Sequence, residues 1–312
     1  MISLRYHVVS IAAVFLALAV GVVLGSTAVG GRLLSGLAGD RESLGKQVAD
    51  LEEQRNALDA RLAAADRFAT ALGPSAVRGL LDKRTVVVIS TVDASPTDRD
   101  AVVGLVRAAG GTVTGEMQLT DTFSDPSKAD QLRQLVARLL PAGVRLPTAS
   151  DPGTLAGGLI GPLVLLNKDN NQPQAKPEEA AAALRALADG GFVKVGGDLP
   201  PAQLAVVLSG GRVGGDAAGD RAATIARFAT QVDRSGAGAV LAGRAGSADG
   251  VGPVGVVRAD TAASSVLSTI DNVDTAAGRV VTVLALRQEL EGRSGRYGTA
   301  GNAQAPAPEP AN

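Results

Sequence analysis

The chain opens with an apolar segment that carries no formal charge. No Asp, Glu, Lys or Arg occurs from His7 to Gly31, and the apolar run from Val8 to Leu24 is long enough to cross most of a hydrocarbon core of about 30 Å. The alternative is a secretory signal peptide, because Arg5 gives a positive start and Ala17-Leu-Ala19 resembles a cleavage site. The run exceeds the roughly 7–15 residues of a signal's apolar region and contains that site internally, so we predict an uncleaved anchor within residues 1–31.

A heptad repeat follows the apolar segment. Positions 37, 44, 51, 58, 65 and 72 are Leu, Leu, Leu, Leu, Ala and Leu, and the residues three places earlier are Leu, Arg, Val, Arg, Leu and Ala. These two rows are the d and a positions of a coiled coil, which predicts a helical stalk over residues 32–73 that ends at Gly73-Pro74. Arginines at two a positions favour two strands, where their stems pack and their heads reach water. The alternative is one amphipathic helix lying on its own domain.

Small residues in the apolar segment also favour the pairing of two helices. Ala13, Ala17, Gly21 and Gly25 are spaced four apart, a pattern that permits close helix approach in lipid. Together with the heptads, it predicts a parallel homodimer. The residues predicted to hold the dimer together are Gly21, Gly25, Leu37, Leu44, Val48, Leu51, Leu58 and Leu62.

After Lys83 the pattern changes to short apolar runs that alternate with helical spacing. Such runs indicate buried parallel strands, so we predict a three-layer, mostly parallel α/β domain over residues 83–297. A Pro- and Ala-rich tail over 298–312 is predicted to be disordered. The predicted strands are 85–90, 112–119, 162–166, 192–195, 204–208, 239–241, 254–257 and 279–285; the predicted helices are 98–109, 127–140, 178–188, 220–232 and 262–270, with a loop-rich stretch at 143–158.

Composition removes several classes of function. The chain has no Cys, one His and two Met, which leaves few soft or imidazole metal ligands and no disulfide or thiol catalysis. A net charge of −1 gives no electrostatic case for nucleic acid. Nucleophilic catalysis lacks a base, because His7 sits at the membrane edge. We therefore predict no enzyme activity, no catalytic residue and no cofactor.

The remaining candidate motifs are weak. The stretches 39–46 and 210–215 lack the spacing of phosphate-binding and dinucleotide-binding loops. Asp93, Asp198 and Asp216 lie near the predicted ends of strands, the usual place for sites in such sheets, although loop caps and turns are the commoner reason for Asp at such places. Asp271 and Asp274 could ligate a hard cation or cap a turn before Gly278. No metal-binding residue is assigned.

Motifs at both ends resemble a known family. The opening 26 residues, the block Leu241–Ala248 and the ending around Ser268–Asp274 and Gly295–Gly298 are similar to the mycobacterial copper transport protein family (MctB-like, with a SteB branch in corynebacteria). Arg296 stands where the family motif has histidine before Tyr297. The likeness covers nearly the whole chain up to Tyr297.

The resemblance implies a cell-envelope protein credited with copper efflux through the outer membrane and with metal resistance. It also implies a second role, as a coiled-coil partner in an envelope complex that controls cell-wall hydrolysis and division. Copper ions are implied as a partner by the resemblance alone. Positive charge at the N-terminus predicts that this end is cytoplasmic, which places the C-terminal domain outside the cytoplasm.

Overall fold

The computed structural model describes residues 4–309, with the backbone alone at 26–40 and 42. The chain divides after Ala64 into two compact units. The first holds most of the long helix α1, Leu4–Ala76, and the second holds the end of that helix and an α/β domain.

Helix α1 begins with the predicted apolar segment. Residues Leu4–Gly25 are long and apolar enough to cross a membrane, by length and composition. Further along α1 the described leucines of the heptads and Val48 are exposed to solvent, by 63% at Leu51 and 54% at Val48. The side chain of Leu37 lies outside those described. An exposed apolar row is compatible with a coiled coil, which stays a prediction.

The last turns of α1 belong to the α/β unit. Asp66 accepts a hydrogen bond from the backbone N–H of Ala276 at 2.6 Å and so caps the helix that starts there. A Cβ at Gly73 would lie 2.9 Å from Val280, and Val77, just beyond the helix, is fully buried. The helix runs through Pro74, and it therefore ends three residues after the predicted stop.

The domain is built on a seven-stranded sheet in the order β3-β2-β1-β4-β5-β6-β7. All neighbours are parallel except β2 and β3. The runs of β-branched and aliphatic residues in β1 and β4 are buried on both faces, as a sheet covered by helices requires. The strands are β1 Thr85–Ser90, β2 Thr112–Leu119, β3 Val193–Val195, β4 Leu204–Ser209, β5 Ala239–Gly243, β6 Ser268–Ile270 and β7 Arg296–Tyr297.

Helices cover both faces of the sheet and make two hydrophobic cores. One core contains α2 and α10; the other contains α3 to α9, with Phe123 and Phe228 stacked edge to face at 5.1 Å. The predicted α/β class with a mostly parallel sheet is confirmed. The helices are α2 Pro96–Ala108, α3 Asp121–Ser124, α4 Ala129–Arg138, α5 Pro152–Val164, α6 Pro177–Asp189, α7 Ala218–Ser235, α8 Pro253–Ala259, α9 Thr261–Ser264 and α10 Ala276–Glu289, with a 3-10 turn at Pro126–Lys128.

Helix α5 replaces a predicted loop and a predicted strand. Its glycines Gly153, Gly157 and Gly161 are spaced four apart and face α7; a Cβ on Gly153 would lie 2.3 Å from the carbonyl oxygen of Thr224. Only hydrogen at these positions lets the two backbones meet so closely. The prediction of loop at 143–158 is therefore wrong from residue 152, and the strand predicted at 162–166 is the end of α5 followed by isolated bridges at Leu165 and Leu166.

Three further predictions fail near the C-terminus. The strand predicted at 254–257 lies in α8, and the strand predicted at 279–285 lies in α10. The helix predicted at 262–270 splits into α9 and β6. Apolar β-branched runs read alike in a buried helix and a buried strand, and α10 is buried along most of its length.

The tail differs from its prediction at its beginning. Thr299 donates its backbone N–H to Asp271 at 2.8 Å, and the side chain of Asn302 bonds the carbonyl oxygen of Ala248 at 2.9 Å. Ala305 forms a parallel bridge with Tyr297 of β7. Residues 298–305 therefore pack on the domain.

Candidate functional site

A small polar cavity lies at the carboxyl edge of the sheet, where strand order reverses between β1 and β4. Ligands in open α/β sheets bind at this kind of crevice. The cavity measures about 200 Å³, and its walls are the loops that follow β1 and β4, the end of β2 with α3, and the first turns of α7 and α8. Polar side chains in the walls include Thr91, Asp93, Thr120, Arg212 and Arg221.

Asp93, a residue predicted from the sequence, is held in this cavity. The Thr91 hydroxyl donates a hydrogen bond to it. A Cβ on Gly210 would lie 2.4 Å from its Oδ2, so this position needs glycine. Arg212, in the same wall, forms an ion pair with Asp249, whose Oδ2 lies 2.6 Å from its Nη2. Charges of both signs thus meet here, without the histidine or cysteine that a nucleophile–base pair would use.

Asp98 lies at the same edge of the sheet and is a buried carboxylate. It was not predicted as a site residue from the sequence. It lies in the first turn of α2, and its Oδ2 is 3.2 Å from Nε of Arg244. Burial raises the pKa of Asp98, against the opposing fields of Arg244 and Arg279. The ion pair with Arg244 accounts for a carboxylate at this buried position. The only signal for it in the sequence was an acid two places after Pro96.

The two carboxylates considered as cation ligands serve other partners. Arg258 and Asp271 form an ion pair at 2.7 Å, with side chains only 1% and 2% exposed. Asp274 accepts a hydrogen bond from the N–H of Ala245 at 3.1 Å. Across residues 4–309 no three His, Cys, Asp or Glu side chains gather as a metal site. The structure gives no support to the cation interpretation.

The other predicted aspartates are not brought together with Asp93. Asp198 lines a separate, mostly apolar groove between α6 and the loop after β3. Asp216 is exposed in the loop between β4 and α7. Gly21 and Gly25 have open space around them within the described chain, as the unpartnered face of a helix does.

A pair of buried acids sits at the opposite, amino edge of the sheet. Asp233 accepts the N–H of Ala239, the first residue of β5, at 2.7 Å; Glu289 accepts the N–H of Ser268, the first residue of β6, at 2.9 Å. Burial raises the pKa of Asp233 to about 7. Burial, and then the charge of Asp233, raise the pKa of Glu289 to about 8. Both acids therefore bind their protons more tightly than exposed carboxyls do.

Side chains that suit a soft metal are nearly absent. The chain has no cysteine, and Met117, a residue of β2, is only 2% exposed in the core. His7, the single histidine, is exposed in the apolar part of α1. Neither residue belongs to a cluster of ligands among the described residues.

Comparison with known proteins gives one consistent result. A family model described as "Copper transport outer membrane protein, MctB" matches residues 1–308. The copper transporter MctB of Mycobacterium tuberculosis is 40% identical over 304 residues, which cover 96% of each chain. The protein of the same name from Mycobacterium leprae is 41% identical over 306 residues, again with 96% of each chain covered.

Proposed function

Because the chain belongs to the MctB family of copper transport proteins, we propose that it is a membrane-anchored, non-catalytic component of copper transport in the cell envelope. The full-length match to this family is the observation that carries the proposal. The apolar helix Leu4–Gly25 supports a membrane anchor. The positive N-terminal head supports a domain outside the cytoplasm, and the family description supports an outer-membrane role.

We propose that copper passes through or beside this protein as cargo and is not chelated by its α/β domain. Copper(I) prefers thiolate and thioether ligands and copper(II) prefers imidazole. The domain offers the buried thioether of Met117 and no imidazole or thiolate. A transport role without strong ligands fits a protein that acts through partners or through its membrane-anchored assembly.

The test is the copper tolerance of a strain that lacks the gene. We expect growth to fail at a copper concentration that the parent tolerates, and the full chain to restore it. The matched control carries a cleavable signal sequence in place of residues 1–31, so that the domain is exported without its anchor. Failure of this control supports an anchored role, whereas unchanged tolerance of the deletion strain would contradict a role in copper transport.

A second function is favoured by the exposed heptad row of α1. Leu44, Leu51, Leu58 and Leu62 are each exposed by more than half, which is unusual for leucines that have no partner. We propose that residues 32–73 form a parallel two-stranded stalk between an anchor at 1–31 and the domain at 83–297. Such a dimer would serve as a scaffold for an envelope complex that controls cell-wall hydrolysis and division.

Microscopy separates the two functions. If the scaffold role holds, a deletion strain forms abnormal septa, and a chain with Leu51→Asp and Leu58→Asp does not correct them. The same variant restoring copper tolerance would assign the stalk to division and leave transport to the rest of the chain. Normal septa in the deletion strain would contradict the scaffold role.

A further inference from the structure

The two edges of the sheet are covered differently. At the β7 edge the chain's own tail supplies the covering: Gln304 donates its N–H to the carbonyl oxygen of Arg296 at 2.8 Å, and Gly298 donates to that of Ala305 at 3.1 Å. The molecule thus closes one edge with an extended segment. No segment within residues 4–309 pairs with the outer side of β3 at the other edge.

The alternation of bonded and non-bonded residue pairs between β2 and β3 shows which backbone groups of β3 face outward. Thr120 and Phe192 are directly opposed and joined by the Thr120 N–H to Phe192 carbonyl bond at 3.0 Å. Bonded and non-bonded pairs alternate in an antiparallel ladder, so Lys194 bonds to β2 and Val195 points its N–H and carbonyl away. These two groups of Val195 have no hydrogen-bond partner in the described chain. Lys194, Gly196 and Gly197 are exposed, so this part of the edge is accessible.

An apolar groove of about 980 Å³ runs beside this open edge. Val195 and the loop after β3 form one wall and helix α6 forms the other. Its apolar lining includes Leu163, Ala181, Leu184 and Leu199. An edge strand beside a groove along a helix is the arrangement in which an added strand gains backbone bonds from the edge and places alternate side chains in the groove.

We propose that the β3 edge and the α6 groove bind an extended segment of another protein, with aliphatic side chains alternating with acidic ones. The aliphatic side chains would enter the groove on the face where Val195 lies. The intervening side chains would lie on the opposite face beside Lys194, where an opposite charge stabilises a cross-strand pair. The segment is short, since β3 has three residues.

Two other occupants fit the surface less well. An acyl chain could fill the groove but would leave the outward N–H and carbonyl of Val195 without a protein partner. A second copy paired antiparallel through its own β3 would place two Lys194 side chains on one face, and like charges there are unfavourable. The chain's own tail is already bound at the β7 edge.

The test measures binding of a synthetic peptide to the full chain in lipid nanodiscs by fluorescence anisotropy. The probe is a fluorescein-labelled Ser-Val-Glu-Val-Glu-Val-Ser peptide. Its control, Ser-Val-Val-Val-Glu-Glu-Ser, has the same composition without the alternation. We expect the control to bind at least about tenfold more weakly, because it cannot place valines on one face and acids on the other.

Substitutions assign the binding to the edge and the groove. Val195→Pro removes the outward N–H without touching the ladder to β2, and proline is tolerated on the free side of an edge strand. We expect it to weaken probe binding at least about tenfold, while Val195→Thr, which keeps the N–H, changes it less than about threefold. Ala181→Trp should fill the groove and give a comparable loss. Lys194→Glu should weaken binding of the acidic probe and strengthen binding of a version with Lys in place of Glu.

Several results would overturn the proposal. These are no probe binding to the wild type, equal binding of the two peptides, or undiminished binding by both Val195→Pro and Ala181→Trp. Labelled palmitate that binds the wild type and is not displaced by the probe would identify a lipid groove instead. A wild-type assembly that Val195→Pro dissociates, as seen by sedimentation, would identify a second copy as the occupant.

Discussion

Replacing Glu289 by glutamine should weaken the effect of pH on the stability of this protein. In the folded chain the pKa of Glu289 is raised to about 8, first by burial and then by Asp233, while in the unfolded chain it returns to about 4.5. The folded state therefore holds a proton that the unfolded state loses, and stability falls as pH rises from the lower pKa to the higher one. Stability from this group is fully present below about pH 4.5 and lost through about pH 8.

The size of the effect follows from proton affinity. Each tenfold difference in affinity is worth about 1.4 kcal/mol, so Glu289 alone lowers the free energy of unfolding by on the order of 3 kcal/mol between pH 5 and pH 8. Glutamine keeps an oxygen that can accept the N–H of Ser268 and carries no proton to lose. The variant should be equal to or less stable than wild type at pH 5, where its buried amide costs about 1 kcal/mol, and more stable at pH 8.

Urea unfolding of the full chain in detergent at pH 5, 6, 7 and 8 is the measurement. The chain has two tyrosines and no tryptophan, so a Tyr6→Phe background leaves Tyr297 as the single emitter. Tyr297 is buried and its hydroxyl donates to Gln288, next to Glu289, so its emission reports this region.

Glu291→Gln is the matched control, because it removes the same charge at a position where arginine partners lower the pKa. This control should show no crossing of stabilities between pH 5 and pH 8. Parallel pH profiles for wild type and Glu289→Gln, or a wild type whose stability is constant across this range, would refute the reasoning.

Three further predictions concern copper, assembly and topology. Calorimetry at neutral pH should show copper binding by the full chain no tighter than about micromolar and unchanged in Met117→Leu; a nanomolar stoichiometric site would mean that carboxylate and backbone groups suffice. A chain from residue 32 onward should sediment as a dimer at tens of micromolar, and Leu51→Asp with Leu58→Asp should make it monomeric, because each buried leucine contributes about 2–5 kcal/mol. A monomeric wild type would contradict the stalk. Mass spectrometry of the native protein should recover Val8–Leu24, and a mature chain that begins after Ala19 would show cleavage.

Local sequence predicted the elements whose signal is unambiguous. The bounds of β1 and β2 match the structure residue for residue, because each is a β-rich run closed by polar or glycine residues. Helix α10 was read as a strand, since its Val-Val-Thr-Val run has strand character and its helical state depends on the sheet it covers and on the Asp66 cap 210 residues earlier. No local pattern contains that information.

The candidate sites divide in the same way, into those with a local sequence signal and those that form only in the folded domain. Asp93 was found because the end of a buried strand is a local signal, and the structure places it at the point of strand reversal. The partner of Asp271 was missed because Arg258 lies in a helix that resembled a strand. The β3 edge and its groove were missed altogether, since they arise from α5, α6 and a loop that meet only in the folded domain.

The pairing of the tail with β7 has a consequence for the order in which the protein can form. Ala305, which closes this edge of the sheet, is synthesised after all seven strands, and Asn302 is a partner of the buried Arg258. The central strand β1 also lacks one of its pairing strands early in synthesis, because its neighbour β4 lies 118 residues further along the chain. Until residues 298–305 have been synthesised, the β7 side of the sheet presents an unpaired strand edge, which is a template for aggregation. A nascent chain that lacks residues 298–305 therefore depends on being kept unfolded or chaperoned.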